Sequence, residues 1–183
     1  WSHFEPVFRS GSLGIWAADE RMKGEEPFEI PASGLGAFLI RKKDFFEAGG
    51  FHPLARGYGG EEVCFHEAFR RSGGSVMCAP TLRYWHDFHC VAPSFPVLLV
   101  DKIRNYILWF RLLDWDIARL IRHYVSGEQK AEVAPWGEVC PVSQNTLTRE
   151  QFDALLEQTD AELRGEHRSE ERRVGKECEV PCR

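Results

Sequence analysis

The chain has 183 residues, enough for one domain with a sizeable core. Its 43% hydrophobic and 28% charged content is ordinary for a globular protein. A net charge of −5, without a Lys/Arg-rich run interleaved with aromatics, argues against a nucleic-acid-binding surface. The most apolar stretch, residues 97–125, is broken by Asp101, Lys102, Arg104, Arg111, Asp114, Asp116, Arg119 and Arg122. It falls far short of the ~20 uninterrupted apolar residues of a membrane span. No signal peptide is recognisable, and because the chain opens on Trp1 rather than Met, its natural N-terminus is expected upstream. Cys64, Cys78, Cys90, Cys140, Cys178 and Cys182 show no zinc-ligand spacing. They are expected to be buried free thiols in a reducing compartment, which places the protein in the cytoplasm.

In chain order, residues 1–31 carry scattered Gly, Pro and charge with no sustained periodicity, and are expected to be irregular. Residues 34–40 predict a buried strand, and 42–48 a short helix stopped by Gly49-Gly50. Residues 51–58 read as a loop, with Pro53 and Gly57 as breakers, able to close over a ligand. Gly59-Gly60 then lets the backbone turn, and Glu61-Glu62 opens a helix whose positive end favours carboxylates. Phe65, Ala68 and Phe69 recur at helical spacing, Arg70 and Arg71 fill the last turn, and Gly73-Gly74 ends it. A strand is expected over 75–79, closed by Pro80, and the alternation over 82–89 suggests a second extended piece.

Residues 95–127 predict two helices, one burying Val100, Ile103, Ile107 and Phe110, the other Ile117, Leu120, Ile121 and Tyr124. Residues 128–145, with Pro135, Gly137 and Pro141, read as a linker or irregular cover. Thr148 and Gln151 form a capping box ahead of a helix with Phe152, Leu155, Leu156 and Leu163 on one side. Residues 168–178 resemble the conceptual translation of a common sequencing-adapter oligonucleotide. Residues 168–183 are therefore expected to be an artefactual tail rather than native sequence.

Gly34-Leu35-Gly36-Ala37-Phe38, Arg41-Lys42-Lys43-Asp44, Gly49-Gly50-Phe51, Gly59-Gly60-Glu61-Glu62, Pro80 and His86 follow one another in a familiar order and spacing. The run resembles the C-terminal half of the catalytic domain of family 2-type glycosyltransferases, which have the GT-A fold. The resemblance implies an α/β chain. Residues 1–92 would be half of a GT-A domain, 93–127 a helical extension, and 128–167 a linker with an amphipathic helix. It implies transfer of a sugar from a nucleotide-diphosphate donor to a hydroxyl of a glycan, lipid or protein acceptor, assisted by Mn²⁺ or Mg²⁺. The N-terminal half that would hold the donor diphosphate is missing, so this chain is expected to be inactive alone.

On that resemblance Glu62 matches the catalytic base, where the family more often has Asp, and Glu61 matches a residue that contacts a sugar. Gly34, Gly59, Gly60, Trp85 and His66 would line the substrate, and His86 would complete the metal site, with Asp87 and His89 as substitutes. Blander readings stand beside these. Glu61 and Glu62 suit any helix N-terminus, His86 suits a polar strand end, and Glu62 with His66 makes an ordinary i,i+4 pair. Trp1 and Trp16 are packing residues or, alternatively, stack on a sugar ring. Asp114-Trp115-Asp116 has the letters of a metal motif, but its place between two helices reads as solvated helix ends. The alternative to an enzyme is a non-catalytic interaction domain that keeps the lobe.

Overall fold

The structure is a computed structural model that describes residues 1–84 and 97–177, with side chains through residue 165. It begins with an antiparallel hairpin, β1 (His3–Arg9) and β2 (Ser12–Ala17). Ser10 and Gly11 both take positive φ, 50° and 85°, the geometry of a tight turn whose twist matches its strands. The irregular segment expected for residues 1–31 is therefore corrected over this span. Leu13, Ile15 and Ala17 are buried in strict alternation. On β1, however, Pro6 stands where an inward apolar residue would alternate, and the register shifts between Glu5 and Phe8. That irregularity hides the strand from a period-two reading.

A 3₁₀ turn (Glu20–Lys23) leads to β3 (Phe28–Glu29), which pairs with β4 (Met77–Cys78). The expected strand over 75–79 is thus real but short. The expected strand over 34–40 is not formed. Ala32 still bridges Phe4, whose N–H donates to the Ala32 carbonyl at 2.9 Å, but the chain then turns at Leu35-Gly36. Beyond that point no described strand edge accepts it, and Leu39 lies 94% exposed. Apolar composition without a hydrogen-bonding partner does not make a strand.

Helix α1 (Lys42–Glu47) ends, as expected, at left-handed Gly49 and Gly50. Helix α2 (Glu61–Arg71) stops at Gly73, also left-handed. Helices α3 (Leu99–Leu112) and α4 (Ala118–Tyr124) match the pair expected over 95–127, although Val100 faces outward. Residues 128–145 hold a small hairpin that was expected to be irregular, β5 (Glu132–Val133) and β6 (Val139–Cys140). It closes through left-handed Gly137, the residue that had marked the segment as a breaker. Helix α5 (Arg149–Glu177) opens on the predicted capping box. The Thr148 N–H donates to Gln151 Oε1 at 2.9 Å, and the Gln151 N–H to Thr148 Oγ1 at 3.2 Å.

The architecture is α/β: helices with, among the described residues, three small antiparallel pairs, then C-terminal helices. One core joins Phe4, Phe8 and Leu13 of the hairpin to Val63 and Cys64 of α2, Ile107 and Phe110 of α3, Leu120 and Tyr124 of α4, and Phe152 and Leu155 of α5. Ion pairs of Arg111 with Asp160 and of Arg104 with Glu162 fasten α5 along α3. Cys64, Cys78 and Cys140 are free, the first and last buried. Among the described residues no helix is long and apolar enough to cross a membrane.

The α5 backbone continues to Glu177, well into the expected artefactual tail. Deleting residues 168–183 should leave the thermal midpoint unchanged, because among the described residues α5 joins the core through Phe152, Leu155 and Leu156 in its first turns. A clear fall in the melting temperature would show that the tail packs.

Candidate active site

The start of α2 is fixed by its contacts with α3. Gly59 and Gly60 are left-handed, with φ of 114° and 88°. A Cβ on Gly59 would lie 2.5 Å from Lys102 Cγ, and one on Gly60 3.2 Å from Tyr106 Cδ1. Both positions therefore need glycine for conformation and for close approach. Buried Asn105 pins the loop in front of them. Its Oδ1 accepts the Arg56 N–H at 2.9 Å, and its Nδ2 donates to the carbonyls of Arg56 at 2.7 Å and Gly59 at 3.1 Å.

From this ridge the two carboxylates diverge. Glu61 Oε2 turns back to accept the Gly59 N–H at 2.7 Å and borders a cleft of about 420 Å³ with Phe38, Phe51 and Trp109. Glu62 faces a different cleft, of about 260 Å³, with Trp16, Tyr58, Tyr84, Lys102 and the glycines 34, 59 and 60 around it. Trp16 packs on Phe4, ring centres 4.1 Å apart, and so serves both as packing and as cleft wall. Trp1 is 80% exposed and borders neither cleft.

Burial raises the Glu62 pKa to about 7, and the neighbouring charge of Glu61 adds to the shift. A hydrogen bond from the Leu35 backbone and the Lys102 charge act the other way and are outweighed. Burial also lowers the Lys102 pKa, against the pull of Glu61 and Glu62, and raises that of the Tyr58 phenol. A carboxyl group that ionises near neutrality in an aromatic-walled cleft is matched to proton exchange with a hydroxyl.

The expected residues Glu62, Gly34, Gly59 and Gly60 meet at the first cleft, and Glu61 stands on the other side of the ridge. His66 is not on the wall of either cleft. It is 5% exposed, its Nδ1 accepts the Ser33 N–H at 3.4 Å, and burial lowers its pKa to about 4. It is therefore a buried side chain that also hydrogen-bonds to the Glu62 backbone, because the helix turns that face into the packing of Phe65 and Phe38. Trp85, His86, Asp87 and His89 lie outside the described residues. Asp116 is a helix-end residue, accepting the Ala118 N–H at 2.9 Å and pairing with Arg122.

Among the described residues no three His, Cys, Asp or Glu side chains converge in a way that could hold a metal ion. The carboxylate of the first cleft shares its wall with a lysine, which is not a donor set for Mn²⁺ or Mg²⁺. Lys102, Tyr58 and Asn105 are site residues that a sequence reading passes over. For Lys102 a signal exists, since it shares a helical face with Tyr106 and Trp109, both buried.

No family model matches the chain, and no solved structure does. Its sequence is similar to a glycosyltransferase, N-acetylgalactosaminyltransferase 7. The identity is 24% to the Homo sapiens and Pongo abelii proteins and 25% to that of Mus musculus, over 121 residues in each case. The similar region covers 62% of this chain and 18% of each relative.

Proposed function

We propose that this chain is the acceptor-side part of a glycosyltransferase catalytic domain, with Glu62 as its general base. The carrying observation is the Glu62 carboxyl, raised to about 7 at the head of α2 in an aromatic-walled cleft. The distant similarity to N-acetylgalactosaminyltransferase 7 supports the same class of reaction and suggests N-acetylgalactosamine as the first donor sugar to try. Placement in the GT-A fold and among family 2-type enzymes is part of this proposal. So is a nucleotide-diphosphate donor. The divalent cation belongs to it as well, with His86 its candidate ligand in this chain.

The chemistry asked of these residues is limited. A bound acceptor hydroxyl gives its proton to the Glu62 carboxylate as its oxygen bonds to the anomeric carbon of the sugar. The bond from that carbon to the diphosphate breaks, and its electron pair leaves with the phosphate oxygen. Trp16, Tyr58 and Tyr84 offer flat apolar faces to a sugar ring, and the Gly59-Gly60 ridge, held by Glu61 and Asn105, keeps Glu62 in place.

A transfer assay with a panel of nucleoside-diphosphate sugars, N-acetylgalactosamine donors first, tests the reading. Residues 1–167 alone should show no turnover, and a longer protein that carries this chain should transfer sugar. Robust turnover by 1–167 would contradict the division of the site. Binding without transfer by the longer protein would leave a non-catalytic interaction domain.

A further inference from the structure

Lys102 has an unusual position for an ammonium group. It projects from α3 on the same face as Tyr106 and Trp109, and its stem lies across the bare backbone of Gly59. Its Nζ donates to Ser12 Oγ at 2.7 Å and stands 6.0 Å from the centre of the Tyr58 ring. Among the described residues no carboxylate lies within ion-pair distance, 4.0 Å, of this nitrogen. Glu61 and Glu62 act on it only from further away. A half-buried charge held without a counter-ion is costly, and a ligand that brings the opposite charge removes that cost.

We propose that Lys102 is the oxyanion-binding residue of the Glu62 cleft, with Ser12 as second donor, taking a phosphate or carboxylate group of the ligand. The ammonium has three N–H donors and gives one to Ser12, while the Ser12 hydroxyl, accepting that bond, still has its own proton to donate. Both donors lie on the wall of the same cleft of about 260 Å³. Glu62 does not bar the anion. Near neutrality it is partly protonated, and its carboxyl can then donate a hydrogen bond rather than repel. Lys102 is the only Lys, Arg or His among the described residues of this wall, so charge complementarity in the cleft depends on it. That the oxyanion belongs to a sugar donor or an acidic acceptor rests on the proposed function; that Lys102 holds an oxyanion does not.

Inorganic pyrophosphate and acetate, titrated separately into the 183-residue chain at constant ionic strength, distinguish the two sources. The readout is the ¹³Cε resonance of Lys102. At least one probe should shift it saturably, pyrophosphate if the group is a phosphate and acetate if it is a carboxylate. Lys102→Met keeps an unbranched stem on Gly59 and should weaken that binding ~10–100-fold, as loss of a charge-assisted hydrogen bond does, whereas Lys102→Arg should largely retain it. No saturable shift with either probe, or an unchanged Kd in Lys102→Met, would overturn the inference. The wild-type titration stands even if the Met variant folds poorly. None of these readouts needs sugar transfer. An inactive protein that binds pyrophosphate through Lys102 keeps this inference and loses the catalytic one, and an active protein indifferent to Lys102→Met does the reverse.

Discussion

Replacing Glu62 with Gln lowers kcat by ~10²–10⁴-fold in a protein active for sugar transfer, the usual worth of a positioned base. The amide keeps the shape and size of the side chain but cannot accept the proton of an acceptor hydroxyl. Donor affinity should stay within about twofold, since the loss falls on the transition state rather than on binding. In the wild type, kcat should rise with pH through about 7, as the Glu62 carboxyl loses its proton. That limb should vanish in the Gln variant. An unchanged kcat would make Glu62 a helix-end residue and shift attention to Glu61.

The same substitution should stabilise the fold in alkali. The folded-state pKa of Glu62 lies above its ordinary value of 4.5. Its contribution is therefore fully present below the unfolded pKa and is lost as pH rises through about 7. Glu62→Gln removes this penalty. Its unfolding free energy from urea titration should exceed that of the wild type above pH 8, by an amount on the order of 1–3 kcal/mol, and approach it in acid. Loss of activity with gain of stability at one residue is the pattern of a functional group held against its preference.

Phe8→Ala should destabilise the protein by ~3–5 kcal/mol, the range for truncating a fully buried aromatic. Phe8 is 0% exposed and meets Tyr106 and Phe110 of α3 and His123 and Tyr124 of α4. The Arg119 guanidinium lies over the same ring, 5.2 Å from its centre. An Ala there leaves a cavity at the junction of the hairpin with two helices, and Ser12, Leu13, Gly14 and Trp16 of the hairpin border the Glu62 cleft. Urea unfolding measures the loss. A change below ~1 kcal/mol would show that the first hairpin is not seated in the core, since truncating a buried aromatic costs several times that.

What could be read from the sequence was what local chemistry decides. Gly59-Gly60 before two carboxylates, the Thr148–Gln151 box and the glycine stops at 49, 50 and 73 act over one or two turns, and each is found where expected. The alternation of Leu13, Ile15 and Ala17 went unread with the rest of residues 1–31, because the pairing strand is interrupted by Pro6 and a register shift. Residues 34–40 failed for the opposite reason. Their composition suits a strand, yet strand formation depends on a neighbouring edge, a property of the whole chain rather than of the segment.

The site followed the same division. Glu62 was singled out through the resemblance carried by Gly59-Gly60-Glu61-Glu62, since a helix start alone suits any carboxylate, and its altered acidity was not legible, because that depends on burial among residues distant in sequence. Lys102 and Asn105 reach the Gly59-Gly60 ridge from α3, and only tertiary packing brings them there. His66 shows the limit of spacing rules. It shares a helical face with Glu62, but that part of the face is turned into the packing.

The most direct test of the central claim, that Glu62 is a base poised in the cleft, is its own ionisation. The side-chain carboxyl ¹³C resonance of Glu62, assigned through loss of its signal in Glu62→Gln, can be followed from pH 4 to pH 9. The account predicts a midpoint at about 7. A midpoint at the ordinary value of 4.5 would show a solvated helix-end carboxylate and contradict it.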